Sequence, residues 1–229
     1  QIGTVPYVRA KGERVGEKNF RVGIDVGSTT VKVVAVAPDG STGFSRYVRH
    51  GARQARTAAD VLVELAAALP DASFRAALTG SGAPALAEAL NLPYVQEVVA
   101  NSIAVRVLYS KARTAIELGG QDAKIVFFDR DPRTGKLTVS NMRMNGSCAG
   151  GTGAFLDEIA SLLKVDPEDF DALAAAGTTV YDISGRCGVY AKTDIQPLIN
   201  QGVSRADIAL SALHAIAKQT IGGLAQGLD

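Results

Sequence analysis

The feature that most constrains the fold of this chain is a hairpin pattern that occurs twice, 92 positions apart. Residues 24–32 read IDVGSTTVK and residues 116–124 read IELGGQDAK. An acid, a glycine and a lysine recur in register, at Asp25 and Glu117, Gly27 and Gly119, and Lys32 and Lys124. Apolar and β-branched residues flank both turns, so each copy predicts a strand, a tight turn and a returning strand. The repeat therefore predicts two related halves that present similar turns to one ligand.

The elements around these hairpins alternate between strand and helix and then become mostly helical. The pattern predicts strands at 20–26, 31–37, 42–49, 74–78, 113–118, 123–129 and 136–143, and helices at about 53–69, 95–109, 149–163, 188–201 and 204–226. A further helix is expected after Asp166, as N-cap, with Pro167 in its first turn. Asp207, three residues after Ser204, is typical of a capping box. We expect an α/β chain whose C-terminal part is largely helical.

Composition excludes several classes of protein. The 229 residues are 47% hydrophobic, enough for one large core or two small ones. Lys plus Arg (24) nearly balances Asp plus Glu (23), which gives no reason to expect nucleic acid as a partner. No apolar run approaches the roughly 20 residues of a membrane span, and no secretory pattern opens the chain. We therefore expect a soluble, cytoplasmic protein without a membrane partner.

The two turns have the chemistry of a polyphosphate site. Small residues leave consecutive backbone N–H groups accessible to phosphate oxygens. The residues expected to bind nucleotide are Gly27, Ser28, Thr29, Thr30 and Lys32 in the first hairpin, and Gly119, Gly120 and Lys124 in the second. Asp25 ends its strand and is expected to hold a hydrated Mg²⁺. The two lysines either neutralise phosphate charge or are exposed strand lysines. Neither a Walker loop nor the Rossmann spacing is present.

The stretches GIDVGSTTVK and ELGGQDAK resemble the first and second phosphate motifs of the superfamily of actin, sugar kinases and heat-shock chaperone ATPases. The resemblance implies an α/β fold of two duplicated ribonuclease-H-like halves that bind Mg·ATP. It implies a leader or linker at 1–20, a first half at 21–112 and a second half at 113–229. By similarity, Asp25 and Asp122 would be the acidic residues near Mg²⁺ and the attacking water, with Gln121 beside them.

The two cysteines, Cys148 in NGSCAGGTGAF and Cys187 in SGRCGVYAKTDI, both lie where loop is predicted to become helix. A helix N-terminus stabilises an anion, so both thiols are expected to favour the thiolate. Two cysteines complete neither a tetrahedral zinc site nor a 4Fe-4S cluster, each of which usually takes four ligands. The histidines, His50 and His214, are interpreted as surface or packing residues. A symmetric dimer would supply two further thiolates.

These two cysteine motifs resemble the ATP-dependent activators of 2-hydroxyacyl-CoA dehydratases and the related ATPase subunits of benzoyl-CoA reductases. The resemblance covers about residues 21–228. It implies a homodimer with one 4Fe-4S cluster held between the subunits by Cys148 and Cys187 of each. It further implies that turnover of ATP to ADP drives an electron to a partner dehydratase or reductase, with ferredoxin or flavodoxin as the electron donor.

Several alternatives stay open from the sequence. Members of this family continue past IGGLA into a strand and a Gly-Gly loop that contacts the adenosine. We therefore expect the second half to be incomplete at its C-terminal end in this sequence, and the adenosine contacts to lie beyond Asp229. The leader resembles the start of this module in longer activase-like proteins. Gly151, Thr152 and Gly153 either line the ATP site or permit a close helix approach. The competing functions are a sugar or carboxylate kinase of the same superfamily and a nucleotide-gated module with an intersubunit zinc site.

Overall fold

A computed structural model describes residues 19–145, 151–185 and 188–226. Its contacts divide the chain into two compact units. Among the described residues, the first contains residues 19–113 together with Arg130–Thr138, and the second contains Thr114–Asp129 and those from Val139 to Gln226. In the described ranges, no helix combines the length and the apolar character that crossing a bilayer requires.

The first unit is built on a four-stranded sheet in the order β3-β2-β1-β4. Its strands are β1 (Asn19–Val26), β2 (Thr30–Val36), β3 (Thr42–Arg49) and β4 (Ser73–Thr79). The first three form the predicted antiparallel meander, and β4 pairs with β1 in parallel. The helices are α1 (Gln54–Ala68), α2 (Pro84–Ala89) and α3 (Glu97–Leu108). The short helix α2 was not predicted, because six residues are too few for a helical period to be recognised.

The core of the first unit fixes which way its first hairpin faces. Alternate residues of β1 and β2 are buried with the apolar side of α1: Val22, Ile24, Val26, Val31, Val33, Ala35, Ala58, Val61 and Leu65. Successive side chains of a strand point to opposite faces of the sheet. Asp25 and Lys32, which alternate with these buried residues, therefore lie on the other face. Hydrophobic burial thus sets the orientation of the polar hairpin residues.

The second unit combines a helical layer with a three-stranded sheet, of which only Arg130, Leu137 and Thr138 belong to the first unit. The sheet has the order β5-β6-β7, with β5 (Thr114–Leu118), β6 (Ala123–Arg130) and β7 (Leu137–Met144). The helices are α4 (Gly153–Leu163), α5 (Phe170–Ala175), α6 (Gly188–Asn200) and α7 (Arg205–Thr220), which continues as a π-helical segment, Ile221–Ala225. A core cluster joins all four helices and includes Phe155, Ile159, Phe170, Ile195, Ile208 and Ile216.

Both predicted helix caps are present. The Asp166 side chain accepts a hydrogen bond from the N–H of Glu168, at the start of a 3₁₀ turn over Pro167–Asp169. The Ser204 hydroxyl accepts from the N–H of Asp207, as expected for a capping box. Asp207 also holds the loop that follows α5, since its Oδ1 accepts from the N–H groups of Thr178 (2.7 Å) and Thr179 (2.9 Å). The Thr178 N–H, then the Ser204 hydroxyl and the Thr179 N–H, lower the pKa of Asp207.

One predicted boundary was wrong. The helix expected from about 149 begins at Gly153, with Thr152 as N-cap. Gly151 has φ +77 and Thr152 is extended, so neither residue has helical dihedral angles. Cys148, which lies outside the described residues, precedes this helix start by five positions in sequence. The expectation that its thiol favours the thiolate therefore stays a prediction. Cys187 also lies outside the described residues, and α6 begins directly after it, at Gly188.

Candidate functional site

Both hairpin turns are closed by the same hydrogen bond. The N–H of Gly27 donates to the carbonyl of Thr30 (2.9 Å), and the N–H of Gly119 donates to the carbonyl of Asp122 (2.8 Å). In the part of the chain that the structure describes, the N–H groups between these positions, at Ser28 and Thr29 and at Gly120 and Gln121, make no hydrogen bond. Each turn therefore offers at least two unused donors to an anion.

The repeat also includes an ion pair across each hairpin. Asp25 lies opposite Lys32 in the β1/β2 register, and their Oδ2 and Nζ atoms are 2.7 Å apart. Glu117 lies opposite Lys124 in β5/β6, with Oε1 and Nζ 3.5 Å apart. Lys124 is only 5% exposed, so the alternative of an exposed strand lysine does not hold for it. The duplication thus extends from the turn to the charged residues beside it.

Asp25 has an oxygen suited to a hydrated cation. Its Oδ2 binds Lys32, whereas its Oδ1 is buried and, among the described residues, has no hydrogen-bond partner. Thr79, directly opposite Asp25 in the parallel β1/β4 register, has a buried and unpartnered Oγ1 as well. A buried acceptor without a donor costs about 1–3 kcal/mol, which a water ligand of Mg²⁺ would offset. Asp25, Lys32 and Thr79 line a pocket of about 850 Å³ within the first unit.

The described residues contain no cluster of potential metal ligands beyond single carboxylates such as that of Asp25. Across residues 19–145, 151–185 and 188–226, no three His, Cys, Asp or Glu side chains form a group that could hold a metal ion. Asp122 is half-buried and Gln121 is exposed, both on the turn that follows β5. These two residues therefore lie beside the unused N–H groups of the second turn.

The start of α4 packs directly on the second turn. The N–H groups of Gly153 and Ala154 donate to the carbonyls of Gly119 and Gly120, at 2.8 Å each. A Cβ atom on Gly153 would lie 3.2 Å from the Gly119 oxygen, so the glycine permits this close contact. Of the two interpretations open for the glycine-rich run, the close helix approach is the one observed at Gly153.

Asn145 fastens the other end of the segment that carries Cys148. Its Oδ1 accepts from the N–H of Ala123 (2.8 Å), and its own N–H donates to the carbonyl of Ala123 (2.9 Å). Ala123 is the first residue of β6, directly after the second turn. Residues 146–150 are therefore bracketed on both sides by hydrogen bonds to the second hairpin.

Residues near both cysteines pack on the same position of α7. A Cβ on Gly151 would lie 3.3 Å from Cγ of Gln219, and a Cβ on Gly185 would lie 3.1 Å from Cβ of Gln219. The N–H of Ser184, next to Gly185, donates to Oδ2 of Asp194 in α6 (2.9 Å). Gly151, three positions after Cys148, and Gly185, two positions before Cys187, therefore both pack on Gln219.

Two helices that follow the cysteine segments are also linked to each other. Oε1 of Glu158 in α4 lies 2.6 Å from Nζ of Lys192 in α6. Both side chains are more than a third exposed, so the pair contributes at most about 1 kcal/mol. The contact nevertheless shows that α4 and α6 lie next to each other.

His50 is a site residue that the sequence did not reveal. It is 3% exposed, and its ring Nε2 lies 3.2 Å from the carbonyl oxygen of Gly27. Its backbone N–H donates to the carbonyl of Thr29 (3.1 Å). A histidine after a strand has no sequence pattern that indicates such contacts, because its partners are 23 and 21 positions away in the chain.

Comparison with known proteins places this arrangement in a family. The profile of the BadF/BadG/BcrA/BcrD ATPase family matches residues 22–227. The (R)-2-hydroxyglutaryl-CoA dehydratase activating ATPase of Acidaminococcus fermentans is 29% identical over 206 residues, which cover 89% of this chain and 76% of that protein.

Solved structures confirm the predicted fold. Component A of the (R)-2-hydroxyglutaryl-CoA dehydratase of Acidaminococcus fermentans superimposes with a TM-score of 0.78 at 27% identity, covering 92% of this chain and 79% of that one. The activator of the 2-hydroxyisocaproyl-CoA dehydratase from Clostridium difficile, with bound ADPNP, matches with a TM-score of 0.74 at 24% identity, covering 89% and 74%. The chain has the ATPase fold of the actin, sugar kinase and heat-shock chaperone superfamily.

Proposed function

From the premise that the chain belongs to the BadF/BadG/BcrA/BcrD ATPase family, we propose that it couples ATP hydrolysis to the delivery of a low-potential electron. The recipient is a partner 2-hydroxyacyl-CoA dehydratase or a related reductase, and the electron donor is ferredoxin or flavodoxin. The relative from Acidaminococcus fermentans is named as a dehydratase-activating ATPase, which supports this assignment.

In this proposal, each hairpin turn binds phosphate oxygens through its unused N–H groups. In the first turn these are the N–H groups of Ser28 and Thr29, with their hydroxyls beside them. Asp25 holds Mg²⁺ through a water ligand at its unpartnered Oδ1. Gln121 and Asp122 orient the attacking water at the second turn.

Cys148 and Cys187 of each of two chains are proposed to hold one 4Fe-4S cluster on a two-fold axis. When bound, the cluster supplies a one-electron carrier. The convergence of Gly151 and Gly185 on Gln219 supports this ligand set, because it brings the chain segments next to both cysteines to one place in each subunit.

The observation that carries the coupling is the bracketing of residues 146–150. Asn145 binds Ala123, and Gly153 and Ala154 bind the carbonyls of the Gly119-Gly120 turn. A change in the turn when a phosphate is lost would therefore displace both ends of the segment that carries Cys148. Gly151, Thr152 and Gly153 act in this proposal as the connection between the nucleotide and the thiol.

Anaerobic reconstitution of the intact protein with iron and sulfide tests the proposal. We expect about four iron atoms and four acid-labile sulfides per dimer. Cys148→Ser and Cys187→Ser are each expected to lose the cluster while the protein stays folded, whereas Ser147→Ala, the neighbouring control, retains it.

Three results would contradict the proposal. A colourless, iron-free protein that still dimerises rules out the cluster. Phosphate transfer to a sugar or carboxylate, with serine tolerated at both cysteines, would identify a kinase. Stoichiometric zinc bound by the same cysteines would identify a zinc-linked dimer.

A further inference from the structure

We propose that His50 is a positioning residue that orients the first hairpin turn for phosphate, an inference that rests on the proposed nucleotide-binding function. His50 follows β3 directly and is 3% exposed. It contacts the turn twice, through its backbone N–H to the Thr29 carbonyl (3.1 Å) and through its ring Nε2 to the Gly27 carbonyl (3.2 Å).

The protein backbone fixes the tautomer of this ring. The N–H of Ala52 points at Nδ1, at 3.1 Å. A backbone N–H can only donate, so Nδ1 is the unprotonated nitrogen and the ring proton resides on Nε2. Nε2 therefore donates to the Gly27 carbonyl. Each ring nitrogen has one partner, and the ring is neutral in this arrangement.

The loop after His50 has an unusual shape that permits this bond. Gly51 has φ +51 and Ala52 has φ +62, a left-handed conformation that L side chains rarely adopt. The Arg53 N–H closes the loop by donating to the carbonyl of His50 (2.9 Å), and α1 begins at the next residue. This conformation directs the Ala52 N–H back at the imidazole ring, so the loop backbone holds the ring in its orientation.

Holding the Gly27 carbonyl determines where the Ser28 N–H points. The two groups belong to one planar trans peptide unit, in which C=O and N–H point in opposite directions. Because the carbonyl is directed at His50, the Ser28 N–H is directed away from it. That N–H is one of the unused donors of the turn. His50 thus sets the direction of a proposed phosphate ligand without touching the phosphate.

In the second hairpin, the carbonyl of the turn glycine is held by a backbone N–H instead of a histidine ring. The Gly119 carbonyl, which corresponds to that of Gly27 in the 92-residue repeat, accepts from the N–H of Gly153 at 2.8 Å. In both hairpins a donor from a later part of the chain therefore holds the carbonyl of the turn glycine. In the first hairpin that donor is a side chain, which makes the requirement testable by substitution.

Two amide substitutions separate the two ring contacts. In His50→Gln, the amide nitrogen reaches the position of Nε2 and can still donate to Gly27. In His50→Asn, the shorter amide reaches only the position of Nδ1, so the contact with Ala52 is retained and that with Gly27 is lost. His50→Leu removes both. His214→Leu, on the exposed side of α7, controls for loss of a histidine.

The measurements are the Kd for Mg·ATP by calorimetry and the unfolding midpoint without nucleotide, in the intact protein. We expect His50→Asn and His50→Leu to weaken Mg·ATP binding about tenfold, the equivalent of one hydrogen bond. His50→Gln should stay within about twofold of the wild type, and His214→Leu should be unchanged. A purely structural role would lower the unfolding midpoint but leave Kd the same for the two amides.

Equal Kd values for His50→Asn and His50→Gln would overturn the inference, even if His50→Leu does not fold. If the wild type binds Mg·ATP and no variant differs from it, the inference fails and the proposed function stands. If the wild type does not bind Mg·ATP, the proposed function fails and the inference fails with it.

Discussion

Replacing Asn145 with alanine tests the connection between the second hairpin and the segment that carries Cys148. The substitution removes the Oδ1 atom that accepts from the N–H of Ala123 at 2.8 Å. Ala123 is 2% exposed, so water does not readily replace the lost acceptor. The backbone bond from Asn145 N–H to the Ala123 carbonyl remains available, because alanine has the same backbone donor.

The expected cost follows from this burial. A buried backbone donor left without an acceptor costs about 1–3 kcal/mol. For a chain of this size, each kcal/mol lowers the thermal midpoint by about 2–4 °C, so we expect a fall of about 2–12 °C. Asn145→Asp keeps an acceptor oxygen in the same place and should lose less.

Thermal unfolding followed by circular dichroism gives the measurement. Asn141→Ala is the matched control, since Asn141 lies on the same strand, β7, and is exposed. A surface truncation of this kind should change stability by no more than about 0.5 kcal/mol. If Asn145→Ala and Asn141→Ala shift the midpoint equally, the bond to Ala123 does not hold the segment, and only the bonds of Gly153 and Ala154 attach it to the second hairpin. In the reconstituted protein, Asn145→Ala should also lose iron to a chelator faster than Asn141→Ala.

Three further predictions follow from single residues. Asp122→Ala should retain nucleotide binding but slow ATP hydrolysis about 100-fold or more, measured by phosphate release; unchanged turnover would exclude its proposed role. Gly80→Ala should cost about 1–3 kcal/mol more than Gly135→Ala in chemical unfolding, because both glycines have positive φ but only at Gly80 does a Cβ collide with Oδ1 of Asp25. Asp207 has a pKa below its ordinary value of 3.8, so it stabilises the protein above that pH and the contribution is lost as the pH falls below it. Asp207→Asn should therefore be less stable than the wild type at pH 7 and differ less from it at pH 2.5, and a constant difference would refute the assignment.

The local elements of this protein could be predicted because their signals are local. The two hairpins follow from β-branched runs around small-residue turns, and the caps at Asp166 and Ser204 follow from side chains that bond within three residues. The repeat placed an acid and a lysine at matching positions of the two hairpins, but that each acid lies opposite its lysine and contacts it is seen only in the folded structure. The same repeat and the cysteine motifs were sufficient to identify the family, which the match over residues 22–227 confirms.

Tertiary structure decided the features that depend on contacts between distant parts of the chain. The start of α4 was misplaced because its first N–H groups bond to the Gly119-Gly120 turn, a partner more than 30 residues away, which makes Gly153 rather than residue 149 the start of the helix. His50 was interpreted as an ordinary residue because the two carbonyls that it contacts are brought to it by pairing of β2 with β3. The sequence by itself thus determined the hairpins, their polar residues and the family. Only the packed structure decided which donors hold the turn carbonyls, because hydrogen bonds between distant residues depend on the folded positions of both partners and leave no periodic pattern in the sequence.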